Sequence, residues 1–266
     1  EGELTFTELV RAYLKREELC AASLDLDHIP GITYRAESGE VVERGPQRLL
    51  SLDEIPFYYD DMAGFENRIV YYESSRGCPF SCSYCLSSID KSVRFRSLSL
   101  DLVLPELQFF LDHKVPQVKF VDRTFNCKRD HTLGIWRYLV EHDNGITNFH
   151  FEVSADIFDE EELELIGKMR PGLIQLEIGV QSTNPDTIKE IHRHMDLVKL
   201  KQAVDRVYDY RNTHQHLDLI AGLPYENYES FMRSFDDVYR MRPDQLQMGF
   251  LKVLKGSYME EQVAAY

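Results

Sequence analysis

The stretch Leu173-Ile174-Gln175-Leu176-Glu177-Ile178-Gly179-Val180-Gln181 alternates apolar Ile174, Leu176, Ile178 and Val180 with polar or small Gln175, Glu177, Gly179 and Gln181. Successive side chains of a strand point to opposite faces, so this strand has one apolar and one polar face. Asn148 to Ser154 repeats the pattern, with His150, Glu152 and Ser154 set against Phe149, Phe151 and Val153. A doubly wound sheet clothed in helices on both sides needs two apolar faces. A barrel whose lumen holds a polar ligand needs one polar face. The expected fold is α/β, a curved or partial βα barrel.

Outward from this strand, the runs Ile69-Val70-Tyr71-Tyr72, Gln117 to Val121, Phe149 to Val153, Leu217 to Ala221 and Leu246 to Leu251 read as further strands. They alternate with helix-like segments at about 99–113, 129–142, 159–168, 185–191, 197–210 and 226–240, and another helix starts near 257. Six βα units in series imply a parallel sheet. Pro105 falls in the first of these helices and predicts a kink or a later start. Residues 1–67 carry a short amphipathic stretch from Leu9 to Leu19 and a hairpin pattern, Ile32-Thr33-Tyr34-Arg35 and Val41-Val42-Glu43-Arg44 around Ser38-Gly39. The extended run Ile55-Pro56-Phe57-Tyr58-Tyr59 follows. That region cannot hold a large core, so it is expected to be a linker or collar, with the barrel in 68–266.

Among the 266 residues, 30 Lys+Arg stand against 45 Asp+Glu, a net charge of -15. Such a surplus opposes broad contact with phosphate backbones, and no nucleic-acid partner is expected. No run approaches the roughly 18–20 consecutive apolar residues of a membrane helix, and Glu1 to Thr7 is unlike an export signal. A cytoplasmic protein with no membrane contact is the expectation.

Three of the 5 cysteines fall in Arg76-Gly77-Cys78-Pro79-Phe80-Ser81-Cys82-Ser83-Tyr84-Cys85, spaced C-x3-C-x2-C just after the first strand. Chance placement gives this spacing about once in a thousand sequences of this cysteine content. Three thiolates can hold three corners of a 4Fe-4S cluster and leave one iron open to a small molecule. Structural zinc needs four ligands, and a fourth is at hand only if Cys127 folds back. An electron-transfer or zinc-stabilised binding module stays open beside an enzyme. The nine histidines include no His-x3-His pair on a clear helix face with a nearby carboxylate, so the sequence supports no separate metal site.

With its aromatic Tyr84 just before the last cysteine, this motif resembles that of the radical S-adenosylmethionine (SAM) superfamily, and the resemblance extends over 68–266. It implies a partial (β/α)6 TIM-like barrel in which Cys78, Cys82 and Cys85 hold a 4Fe-4S cluster. SAM binds its open iron and is cleaved reductively to methionine and a 5'-deoxyadenosyl radical, and the reductant is a protein such as flavodoxin or ferredoxin. The resemblance assigns SAM contacts to Tyr84 through its backbone and to Glu152 near the end of the third strand. Gln181 closes a Gly-Val-Gln-Ser run similar to that of anaerobic coproporphyrinogen III dehydrogenases, and Arg193 follows twelve residues on. In those relatives the Gln contacts the ribose and the Arg pairs with the SAM carboxylate, a task suited to a planar fork of donors. Asp218, in Asp218-Leu219-Ile220-Ala221-Gly222-Leu223-Pro224, is a lone carboxylate in an apolar strand and needs partners, which ribose hydroxyls supply. Asp122 stands where many members carry a Gly-Gly-Glu run, and its D-x-x-F context is similar to members with a cobalamin domain. Each has a plainer reading, as a salt-bridge partner for Glu152, a solvated charge for Arg193 or a structural hydrogen bond for Asp218. Gly179 facing the lumen lets an adenine ring approach the backbone.

The opening Glu1-Gly2-Glu3-Leu4-Thr5-Phe6 resembles the segment that closes the cobalamin-binding domain preceding many such barrels. No D-x-H-x-x-G, the loop that supplies cobalamin's His ligand, occurs in the chain, and its last residues stop within a helical pattern. The chain is therefore read as a piece of a longer protein, with cobalamin bound upstream. It is closest in pattern to the branch that includes anaerobic magnesium-protoporphyrin IX monomethyl ester cyclase, acting on a small-molecule substrate. An anaerobic coproporphyrinogen dehydrogenase is the alternative, favoured by Gly-Val-Gln-Ser. Cys20 looks incidental and Cys127 reads as a buried apolar cysteine, with a second redox thiol or a substrate ligand as its alternative, and Lys252 and Lys255 are expected at the barrel mouth as solvated lysines or contacts to an acidic substrate.

Overall fold

In the computed structural model, which describes residues 2–19, 24–88 and 95–265, the chain divides between Glu54 and Ile55 into two units. Cys20 lies outside the described residues. In the first unit, helix α1 (Glu3–Leu19) precedes an antiparallel hairpin of β1 (Thr33–Arg35) and β2 (Val41–Glu43), paired Thr33 with Glu43 and Arg35 with Val41. Gly39 turns this hairpin at φ 87°, a conformation that a Cβ would strain.

The second unit, Ile55–Tyr266, begins with the run expected to belong to the linker. Phe57 packs edge to face on Phe109 and Phe110, with centroids at 5.3 and 5.5 Å, and Tyr59 on Phe110 at 5.4 Å. Aromatic burial ties this segment to the barrel.

Six strands form the sheet: β3 (Val70–Tyr72), β6 (Gln117–Phe120), β7 (Asn148–Val153), β8 (Ile174–Gln181), β9 (His214–Ala221) and β10 (Gln245–Phe250). Each lies parallel to the strand of the preceding unit, in the order β3-β6-β7-β8-β9-β10. A doubly wound sheet reverses its order at a switch point. Here the order never reverses, so right-handed crossovers place every connecting helix on one face and leave the other as a concave lumen. The alternation in Leu173 to Gln181 thus reported the fold correctly.

The crossovers are α2 (Leu100–Asp112), α3 (Arg129–Glu141), α4 (Glu160–Gly167), α5 (Pro185–Glu190), α6 (Leu197–Tyr210) and α7 (Tyr228–Tyr239). Helix α2 starts at Leu100 despite Pro105 within it, because its face of Val103, Leu107, Phe110 and Leu111 is buried on both sides of the proline. The lost backbone bond is outweighed by that packing. Asp196 caps α6 at the amides of Val198 and Lys199, and Asp159 forms a capping box with Glu162 on α4. Between sheet and helices, Phe125, Phe151 and Trp136 are wholly buried, with Phe125 4.3 Å from Phe151 and 5.8 Å from Trp136.

The polar face of the sheet is drier than the sequence suggests. His150 is 7% exposed and His216 is 6% exposed, so the lumen is filled by polar side chains that face one another. Among the described residues no helix is long and apolar enough to cross a membrane.

Candidate functional site

The strands β4 (Ser75–Arg76) and β5 (Arg96–Ser97) pair antiparallel and close the base of the cysteine segment. Gly77 opens it at φ 94°, where a side chain would be strained. Cys78, Cys82 and Cys85 follow as reduced thiols, and Cys85 N–H donates to Cys82 O at 3.1 Å. Two long-range bonds fix the middle of the loop: Ser83 N–H donates to Ile191 O at 2.9 Å, and Met259 N–H donates to Ser83 O at 3.0 Å. The Tyr84 ring packs on Ile191, Leu223 and Met259. Its hydroxyl stands 3.4 Å from Arg193 Nη1, so the side chain supports the loop as well as the expected backbone contact.

Arg193 is the pivot between loop and barrel. Its Nη1 lies 3.8 Å from Cys82 Sγ, and its Nη2 donates to the carbonyl of Gly179 on β8. Burial pushes the Cys78 thiol up, and the sulfurs of Cys82 and Cys85 add to the shift. Three thiols that sense one another on one partly buried loop suit an iron–sulfur cluster, whose irons supply the positive charge that thiolates need.

Glu152, Gln181, Arg193 and Asp218 line one cavity of about 140 Å³ together with Cys82 and Gly179. Thus four predicted residues, from β7, β8, the segment after α5, and β9, converge beside one of the predicted cluster ligands. Burial, then the nearby Glu177 carboxylate, pushes Glu152 up. Gln181 takes φ 71° at a register shift between Gly179 and Gln181. A bulge of this kind bends a strand end and re-aims its side chain. A Cβ on Gly179 would come 2.5 Å from Gln181 Nε2 and 3.5 Å from Arg193 Nη2, so the absent side chain is what lets the Gln181 amide lie over the strand. Asp218 is pushed up to about 7 by burial, then by Glu177 and Glu152.

Asp122, expected as a SAM contact, is not among the residues that line this cavity. It is 0% exposed and accepts from Ser74 N–H at 2.9 Å, Ser75 N–H at 2.7 Å and the Ser74 hydroxyl at 2.6 Å. These bonds anchor the chain that leads into the cysteine loop. His131 Nε2 stands 3.0 Å from Ser74 Oγ, and burial lowers this imidazole to about 4, which keeps it neutral. The next two residues, Arg123 and Thr124, reach the cavity instead. Asn126 is also structural, bridging to Ser154 O at 2.8 Å and Ser154 N at 2.9 Å. Burial, then Cys78, pushes the Cys127 thiol up to about 12. Lys252 and Lys255 are exposed and do not line the cavity.

Lys119, His150, Glu177 and His216 went unnoticed as site residues. Lys119 Nζ lies 3.0 Å and His150 Nε2 2.9 Å from Glu177 Oε2, and they hold this carboxyl at about 2. His216 Nε2 lies 3.0 Å from Asp218 Oδ1. Their signal was the polar alternation itself, but the pairing depends on a register in which Glu152 sits beside Glu177 and Glu177 beside His216.

The radical SAM superfamily model matches residues 72–238. An uncharacterized methyltransferase of Pyrococcus horikoshii is 27% identical over 239 residues, covering 86% of this chain and 49% of that protein. The cobalamin-dependent radical SAM methyltransferase TokK of Streptomyces tokunonensis is 26% identical, covering 87% of this chain and 35% of that one. The fold is similar to the structure of the radical SAM methyltransferase TsrM from Kitasatospora setae with cobalamin and a [4Fe-4S] cluster bound. Its TM-score is 0.78 at 17% identity, over 99% of this chain and 52% of that one. The chain spans half or less of the two curated relatives' length. With the cysteine loop at the mouth of a sequentially wound parallel barrel and the family model spanning most of that barrel, the chain belongs to the radical SAM superfamily, whose members use a 4Fe-4S cluster and SAM.

Proposed function

We propose that this chain is the catalytic core of a cobalamin-dependent enzyme that methylates or rearranges a small molecule. The observation that carries the reading is Arg193, which touches Cys82, Tyr84 and Gly179 at once and so couples the thiol loop to the cavity. Cys78, Cys82 and Cys85 would hold the cluster. When bound, the cluster supplies the electron that cleaves SAM reductively. The guanidinium of Arg193 would take the SAM carboxylate, Glu152 its ammonium, and Gln181 and Asp218 the ribose hydroxyls. Residues 1–67 would connect this core, 68–266, to an upstream cobalamin-binding domain. A flavodoxin or ferredoxin in the cytoplasm would deliver the electron. The two methyltransferase relatives support the methyl-transfer reading.

Anaerobic reconstitution with iron and sulfide tests it. The protein is expected to turn brown and to release 5'-deoxyadenosine and methionine from SAM on reduction, and Cys82→Ala to lose both properties. A colourless protein holding one tightly bound zinc would overturn the reading in favour of a binding module.

A further inference from the structure

We infer that the floor of the lumen is a second metal site, separate from the cysteine loop, in which Glu177, His216 and Asp218, with His150 as a further donor, bind a divalent first-row transition ion such as Zn2+ or Fe2+. One donor atom from each of Glu177, His216 and Asp218 lies within 4.8 Å of the others. His216 is 6% exposed and its Nε2 is buried, facing Asp218 Oδ1 at 3.0 Å. Neither atom makes a well-directed hydrogen bond among the described residues, and His150 Nε2 stands close by, 2.9 Å from Glu177 Oε2. Buried polar atoms are almost always satisfied, so His216 Nε2 and Asp218 Oδ1, with a Glu177 oxygen within 4.8 Å, mark a place built for a group of its own.

Bonds of about 2.0–2.2 Å place neighbouring tetrahedral ligands roughly 3.4 Å apart, so the present spacing needs small adjustments. Imidazole nitrogen with carboxylate oxygen is a borderline donor set, suited to Zn2+, Fe2+ or Mn2+ more than to the hard ions Ca2+ or Mg2+. Lys119 would remain on Glu177 as an outer partner that orients it. The donors sit on three adjacent strands, β7, β8 and β9, which is the rigid support a metal site needs. Asp218 keeps its side chain 16% exposed toward the cofactor cavity, so the ion would fix the floor on which the cofactor rests.

The test uses the full chain with Cys78, Cys82 and Cys85 changed to Ser, so that the cluster thiols do not compete and the result is independent of SAM chemistry. Calorimetric titration with Zn2+ is expected to show one equivalent bound. His216→Ala is expected to weaken binding by at least about a hundredfold. Asp218→Asn, which keeps the side-chain volume, should weaken it too, and circular dichroism confirms that each variant folds. Co2+ in place of Zn2+ should give ligand-field bands without a thiolate charge-transfer band. Absence of saturable Zn2+ binding, equal affinity in both variants, or a thiolate band pointing to a remaining cysteine would each overturn the inference.

Discussion

Replacing Gly179 by Ala separates the fold of this barrel from the function of its cavity. The added Cβ would stand 2.5 Å from Gln181 Nε2 and 3.5 Å from Arg193 Nη2, with no other heavy atom near enough to be displaced. Gly179 does not adopt a positive φ, so the backbone accepts alanine. Glycine inside a strand costs roughly 0.5–1 kcal/mol relative to alanine, so stability should hold or rise slightly. The conflict is relieved by swinging the Gln181 amide, while Arg193 Nη2 stays in ordinary contact. A neutral hydrogen bond is worth about 1 kcal/mol, so losing the Gln181 contact to SAM costs about that much. At 1.4 kcal/mol per tenfold, Kd for SAM rises roughly fivefold. Equilibrium dialysis of SAM against the anaerobically reconstituted protein measures it, with thermal unfolding in parallel. A Kd within about twofold of the parent at an unchanged Tm would refute the placement of Gln181 on the cofactor.

Asp122→Ala strands three buried donors, each worth about 1–3 kcal/mol when unmet, so chemical denaturation should show a loss of at least about 3 kcal/mol and iron content should fall. Asp122→Asn keeps an acceptor for the two amides and should cost about 1 kcal/mol. Glu177 is held at about 2 against an ordinary 4.5, so its ionised form stabilises the fold above that ordinary value, and the contribution is lost as pH falls from 4.5 toward 2. Screening at this half-buried site leaves about 1–2 kcal/mol, and urea titrations of Glu177→Gln should be flat across the window where the parent weakens. Phe57→Ala should cost about 2–3 kcal/mol through lost contacts with Phe109 and Phe110, and an unchanged urea midpoint would detach this segment from the barrel.

Period-two alternation in Leu173 to Gln181 disclosed the barrel because a lumen imposes that pattern on every strand it borders. The thiol spacing was legible for a similar reason, since one loop carries all three ligands. The bonds that Asp122 makes were not legible because nothing local distinguishes a carboxylate that feeds a ligand from one that anchors a loop, and its partners Ser74 and Ser75 lie 48 and 47 residues away. Lys119, His150 and His216 were silent for a related reason. Each is an ordinary polar residue on its own strand, and becomes part of a cluster only when parallel register aligns four strands. Ile55 to Tyr59 looked like linker because its core partners lie in α2, and Pro105 looked disruptive because the buried faces around it cannot be weighed from sequence.

The matching of strand order to chain order also bears on how the protein is made. A sheet whose neighbours are consecutive can assemble unit by unit as the chain emerges, since most of its pairings need no distant partner. The cysteine loop belongs to the first strand–helix repeat of the barrel, yet the guanidinium that reaches Cys82 arrives 111 residues later. At synthesis rates of about 5–20 residues per second, that interval is roughly 5–20 s. During it the three sulfurs are covalently complete but uncovered, and any passing oxidant or stray metal can reach them. Cluster maturation in this protein is thus a contest between iron–sulfur delivery and elongation, decided before Ile191, Arg193 and Met259 close over the loop.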